Sequence, residues 1–176
     1  MTRFAFILIM LWPNVGLCET PVVALPVELR QENWLGADAS GSCMNATTMT
    51  LLNWQLHSTE WPYEGGDWID HTYNSRTNHA QKLDNESIPF AYITNGDSAF
   101  LDYCLATRRG AGVVVKGGRH AVTLVHLDEE IAILLDNNDV RNLIVVDRQR
   151  FLSEWNASHG WAWTIMESPS PPLPKQ

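Results

Sequence analysis

The feature that most constrains the fold is a change of pattern near residue 110. Downstream, Val113-Val114-Val115 is a β-branched run, and residues 120–127 alternate, with Val122 and Leu124 on one face and Thr123 and Val125 on the other. Asp128-Glu129-Glu130 then reads as a turn, residues 131–135 and 143–146 as further strands, and residues 161–166 as a last one. Short turns between strands require antiparallel pairing, because parallel neighbours need long crossovers. Upstream the pattern is helical. Residues 43–57 carry apolar positions too dense for a surface helix, so this helix should be buried, with Ser42 as its N-cap. Residues 97–108 read as another helix, closed by Gly110 and Gly112. Residues 67–78 read as an amphipathic helix, and residues 79–96 as loop with a short strand at 90–94. Helices followed by an antiparallel sheet make the class α+β.

Length and charge narrow the function. A chain of 176 residues suits one domain. Its formal net charge of -8 leaves no basic face to neutralise phosphates, which argues against a nucleic-acid partner. Residues 1–18 read as an export signal: Arg3 gives the positive start, residues 4–12 the apolar stretch, and Gly16-Leu17-Cys18 the cleavage region. The apolar stretch is too short for a membrane span. Acylation at Cys18 is the lesser reading, because bulky Leu17 stands where a small residue is expected. The expected organisation is thus a signal at 1–18, one folded domain at 19–166, and a Pro-rich tail at 167–176 that cannot pack. A secreted or periplasmic location follows, in a bacterial setting. Nothing in the pattern sets an oligomeric state.

Two cysteines remain after such a signal, Cys43 and Cys104. A nucleophilic cysteine needs a lowered thiol pKa, a base in reach and a group that orients the base. Cys43 follows Gly41-Ser42 at a predicted helix start. Unpaired N–H groups there stabilise a thiolate and can hold an oxyanion. His120 opens a strand after Gly117-Gly118-Arg119, and the returning strand ends in Asp136-Asn137, beside the histidine. A carboxylate or amide in that place fixes the ring's tautomer and direction.

Gly-Ser-Cys at the start of a buried helix, with a distant Gly-x-His-Ala-Val hairpin that ends in Asp-Asn, resembles the papain-like cysteine peptidases. Within them it is most similar to the bacteriocin-processing type. The resemblance implies a papain-like fold with its N-terminal helix packed on the sheet. It also implies Cys43 as nucleophile, His120 as base, and Asp136 as orienting residue, with Asn137 as the alternative. The family carries a glutamine shortly before the nucleophile to complete the oxyanion hole. This chain has Ala37 at that spacing, and the nearest glutamine, Gln31, is the candidate in its place.

The expected reaction is hydrolysis of peptide or amide bonds through an acyl-enzyme, with a peptide or protein substrate, no cofactor, no metal and no membrane insertion. The departure at Ala37 leaves open a catalytically silent, peptide-binding domain, and related Cys–His acyl transfer or amidase chemistry is the third reading. A Cys43–Cys104 disulfide is the alternative use of the two thiols in an oxidising compartment. His57, His71 and His79 lack metal-ligand spacing. His126 is expected on the strand face of His120. Of the sequons at Asn45, Asn85 and Asn156, the first falls inside the buried helix, where a glycan does not fit.

Overall fold

The computed structural model describes residues 21–33, 42–60 and 76–167. The expected signal, the stretch from 34 to 41, most of the expected 67–78 helix and the tail from 168 onward lie outside the described residues.

The elements run α1 (Cys43–Leu56), α2 (Arg76–Asn85), β1 (Phe90–Ile93), α3 (Ser98–Ala106), β2 (Ala111–Val115), β3 (His120–Leu127), β4 (Ile131–Leu135), β5 (Leu143–Asp147), α4 (Arg148–Ala157) and β6 (Ala162–Ile165), with 3-10 turns at Val27–Leu29 before α1 and at Lys116–Gly118 between β2 and β3. The six strands form one sheet in the order β1-β6-β2-β3-β4-β5. Every neighbouring pair is antiparallel. The class is α+β, and consecutive strands β2 to β5 lie side by side because their connections are short.

Alternation along the strands divides the core in two. Val114 faces Ala121 across β2 and β3, and Gly112 faces Trp163. Val114, Ala121 and Trp163 join Met44, Leu51 and Leu52 of α1 and Leu83 of α2 in one apolar cluster. Val113 faces Val122 and Ala111 faces Leu124 on the opposite side. They belong to a second cluster with Leu101 and Leu105 of α3 and Phe151 and Trp155 of α4. Helices thus cover both faces of the sheet. Five of the eight β3 residues, Ala121, Val122, Leu124, Val125 and Leu127, are apolar and lie in or against these clusters, which is why β3 runs buried from His120 to His126.

Several expectations are corrected. Of the expected 67–78 helix, residues 67–75 lie outside the described residues; α2 runs Arg76–Asn85, continuing through residues expected to be loop. Its buried contacts are His79 and Leu83, one turn apart, and a histidine does not register as an apolar position. Gly112 does not end a helix but sits in β2, where a Cβ would meet the Trp163 ring at 2.3 Å. The register shifts between Leu124 and His126, so an extra residue interrupts the alternation of β3. That bulge turns His126 away from the face of His120; its Nε2 instead lies 2.9 Å from Oδ2 of Asp128 in the turn. Asn45 is 1% exposed, as its place in a buried helix requires. Among the described residues no helix is long and apolar enough to cross a membrane.

Candidate active site

Cys43 is the first residue of α1. Ser42 precedes it, yet its side chain makes no capping hydrogen bond to the helix, contrary to the sequence expectation. The first-turn N–H groups are thus not capped by the Ser42 side chain. The Cys43 thiol is half-buried and engages the His120 ring, with the backbone at Ala121 and Met44 also bonding to it.

His120 reaches this position through two local devices. Lys116, Gly117 and Gly118 all adopt left-handed backbone conformations, at φ 54°, 64° and 89°. The reversal sends the chain straight from β2 into β3, and glycine carries such φ values at no steric cost. The carboxylate of Glu154 accepts from the Lys116 N–H at 3.2 Å, and the Ser158 hydroxyl accepts from the Gly117 N–H at 3.0 Å, so α4 and its cap hold the turn.

Asp136 follows β4 directly. Thr123 pairs with Leu135, so the next residue, Asp136, lies diagonally from His120 on the same face. The His120 Nε2 is 2.8 Å from Asp136 Oδ1. That carboxylate oxygen also accepts from the Asn138 N–H at 2.9 Å, which fixes its direction. With Nε2 directed to Asp136, Nδ1 is the nitrogen left for the thiol. Lys116 stands 3.9 Å from the other carboxylate oxygen.

These contacts set the charge states. Burial pushes the Cys43 thiol up, but bonds from His120 and from the backbone at Ala121 and Met44 outweigh it and hold the thiol below its ordinary value. Burial disfavours the charged His120 ring; the hydrogen bonds and charges of Asp136 and Cys43 more than offset this, raising it to about 9. Burial also opposes ionisation of Asp136, yet its bond to His120 keeps the carboxyl below the usual range. All three shifts favour a thiolate, an imidazolium and a carboxylate in a row. A thiolate beside an imidazolium is a nucleophile with its proton donor already in place.

Asn137 does not face the imidazole. Its buried amide donates instead to the carbonyls of Cys43 and Ala121 and to the Thr47 hydroxyl. The alternative orienting role is therefore absent from this geometry, because a strand's side chains alternate and only one of two neighbours can point at the ring. The Gln31 amide is exposed and donates to the carbonyl of Glu32 at 3.0 Å, while its backbone N–H bonds the Thr50 hydroxyl. No contact among the described residues joins the Gln31 side chain to Cys43 or His120. What the sequence reading missed was the clamp made by Asn137. Its only signal was adjacency to Asp136.

Cys43 and Cys104 are both free. Cys104 interacts with Thr164, which follows Trp163 and so faces the side of the sheet away from α1. The disulfide alternative is corrected by the two thiols being unjoined, Cys43 engaging His120 and Cys104 buried in the cluster with Leu101 and Leu105. Among the described residues, no group of three or more His, Cys, Asp or Glu side chains is placed to hold a metal ion.

No protein-family model matches the chain, and no curated protein matches it. Among solved structures, the chain is similar to the peptidase domain of Streptococcus mutans ComA in complex with a small-molecule inhibitor. The identity is 16%, the TM-score 0.47, and the match covers 74% of this chain and 95% of that one. A second structure of the same domain matches at 20% identity and a TM-score of 0.41, with the same coverage of each chain. Similarity of this degree does not assign a family, and the chemistry rests on the geometry of Cys43, His120 and Asp136.

Proposed function

We propose that this protein is an exported cysteine hydrolase of papain-like type that cleaves peptide or amide bonds, with Cys43 as nucleophile, His120 as acid–base and Asp136 as orienting residue. The observation that carries the reading is the single imidazole bonded on one side to the Asp136 carboxylate and on the other to the Cys43 thiol at a helix start.

In this reaction the Cys43 thiolate attacks the substrate carbonyl carbon, and the carbonyl electron pair moves onto oxygen. N–H groups at the first turn of α1 stabilise that oxyanion. Collapse breaks the C–N bond, the leaving amine takes the proton from His120, and a thioester remains on Cys43. Water then attacks the thioester while His120 takes its proton. The second tetrahedral species expels the thiolate, and the carboxylic acid product departs. Asp136 holds one tautomer throughout and stabilises the imidazolium.

A silent peptide-binding domain is the second reading, favoured by one observation: the Gln31 amide is bonded to Glu32 and supplies no oxyanion donor. Turnover of a mixed peptide library by the folded protein separates the two. The proposal expects cleavage products that vanish with Cys43→Ser. Peptide binding with no cleavage at any pH would establish the silent domain instead.

A further inference from the structure

The two halves of the proposed site belong to elements far apart in sequence, and one buried side chain reaches both. Asn137 is 3% exposed. Its Nδ2 lies 3.0 Å from the carbonyl oxygen of Cys43, 3.0 Å from the Thr47 hydroxyl and 2.8 Å from the carbonyl oxygen of Ala121. Two hydrogens serve three acceptors, so at least one is shared. The first two acceptors are on α1, which carries the thiol; the third is in β3, one residue past His120.

We infer that Asn137 is a positioning residue whose amide ties the start of α1 to the start of β3, so that the Cys43 sulfur and the His120 ring are held at reacting distance.

Three further observations support this. Ala121 is fixed on both sides, since its carbonyl accepts from Asn137 while its backbone bonds the Cys43 sulfur. A shift of Ala121 would thus change the thiolate's donors as well as the ring position. The main chain of Asn137 is anchored too: its carbonyl accepts from the Asn33 N–H at 2.7 Å, and Asn33 Nδ2 reaches Asn138 Oδ1 at 2.8 Å. Finally, the Oδ1 of Asn137 is buried without a hydrogen-bond partner among the described residues. An apolar side chain would avoid that desolvation cost, so the donor end is what the position uses. The amide orientation follows from the partners, because a flipped amide would set its oxygen against two carbonyls.

The inference rests on the proposed Cys43–His120 chemistry and is tested so that the two fail separately. Site-resolved alkylation of Cys43 by iodoacetamide is followed against pH in the full chain, with melting temperature measured in parallel. Asn137→Asp keeps the shape and removes both donors. It should raise the Cys43 midpoint by about one pH unit, a roughly tenfold loss of rate at acidic pH. Thr164→Val, which removes a different buried hydrogen bond to the Gly110 carbonyl, should lower the melting temperature without moving the midpoint. An unchanged midpoint in folded Asn137→Asp, or an equal shift in both variants, overturns the inference. His120→Ala is the separating arm: if it leaves the midpoint where it was, the catalytic reading itself fails. If it shifts the midpoint and Asn137→Asp does not, only the positioning role fails. Should Asn137→Asp not fold, the unsubstituted protein decides. The carboxamide proton resonances of Asn137 should move with pH at the Cys43 midpoint, and resonances that stay fixed through it overturn the role.

Discussion

The protein carries two thiols in opposite settings, Cys43 at the start of α1 and Cys104 within α3. Both pay for burial, yet the outcomes diverge. At Cys43 the imidazole and two backbone donors outweigh burial and hold the thiol low. At Cys104 burial dominates over weak help from Thr164 and Arg109, and the thiol is pushed up to about 12. The residue type is the same; the difference is the presence of a histidine fastened to a carboxylate. Reactivity of a cysteine is thus a property of what can donate to it once water is removed.

The largest expected effect on this contrast comes from removing the sulfur itself. Cys43→Ser should lower peptide hydrolysis by at least about ten-thousandfold, whereas Cys104→Ser should leave kcat/KM within about threefold of the parent and cost about 1–3 kcal/mol of stability by burying a hydroxyl. Kinetics and thermal melting of the two variants check both halves. Equal losses of activity would break the contrast.

Removing the base comes next. His120→Ala should reduce kcat/KM by about a thousandfold and return the Cys43 thiol toward ordinary values, because the leading donor that lowers it is gone. The Cys104 thiol, with no part in that contact, should be unmoved.

The pH profile is more discriminating. Activity should rise as pH increases through the lowered Cys43 value, where the thiolate forms. It should fall through about 9, where His120 loses its proton. Asp136 raises His120, so Asp136→Asn should bring the alkaline limb to lower pH and cost roughly ten- to a hundredfold in kcat/KM. An alkaline limb that does not move would detach Asp136 from the mechanism.

The smallest effect belongs to Gln31. With its amide exposed and bonded to the neighbouring carbonyl, Gln31→Ala should change kcat/KM by less than about threefold. A hundredfold loss would show that the amide turns inward when substrate binds, and would restore Gln31 to the oxyanion site.

The sequence was most legible where a local pattern met a local cause. The helix from Cys43, the strand from His120 and the return to Asp136 were all visible in apolar periodicity and turn chemistry. The helix read from residue 97 is present as well, with the Asp97 carboxylate accepting from the Ala99 N–H at its start. Legibility ended where the cause was distant or irregular. The run of α2 past residue 78 went unread because its buried stripe includes His79, whose burial holds it neutral, down at about 3. The face of His126 was misread because a bulge has no sequence mark. Asn137 was read as a partner for the ring, though its acceptors lie on α1 and in β3, which only the folded register brings within reach. Ser42 looked like a cap, yet its side chain makes no capping hydrogen bond.

The central claim is that Cys43 is held as a thiolate by His120 while Cys104 is inert. Mass-spectrometric alkylation of the folded protein, with each cysteine followed separately across pH, tests it most directly. The account predicts that Cys43 is modified rapidly, with a midpoint well below the ordinary thiol value of about 8.5, while Cys104 stays unmodified until the protein unfolds. A Cys43 midpoint at or above that value, or modification of both cysteines at similar rates, would contradict it.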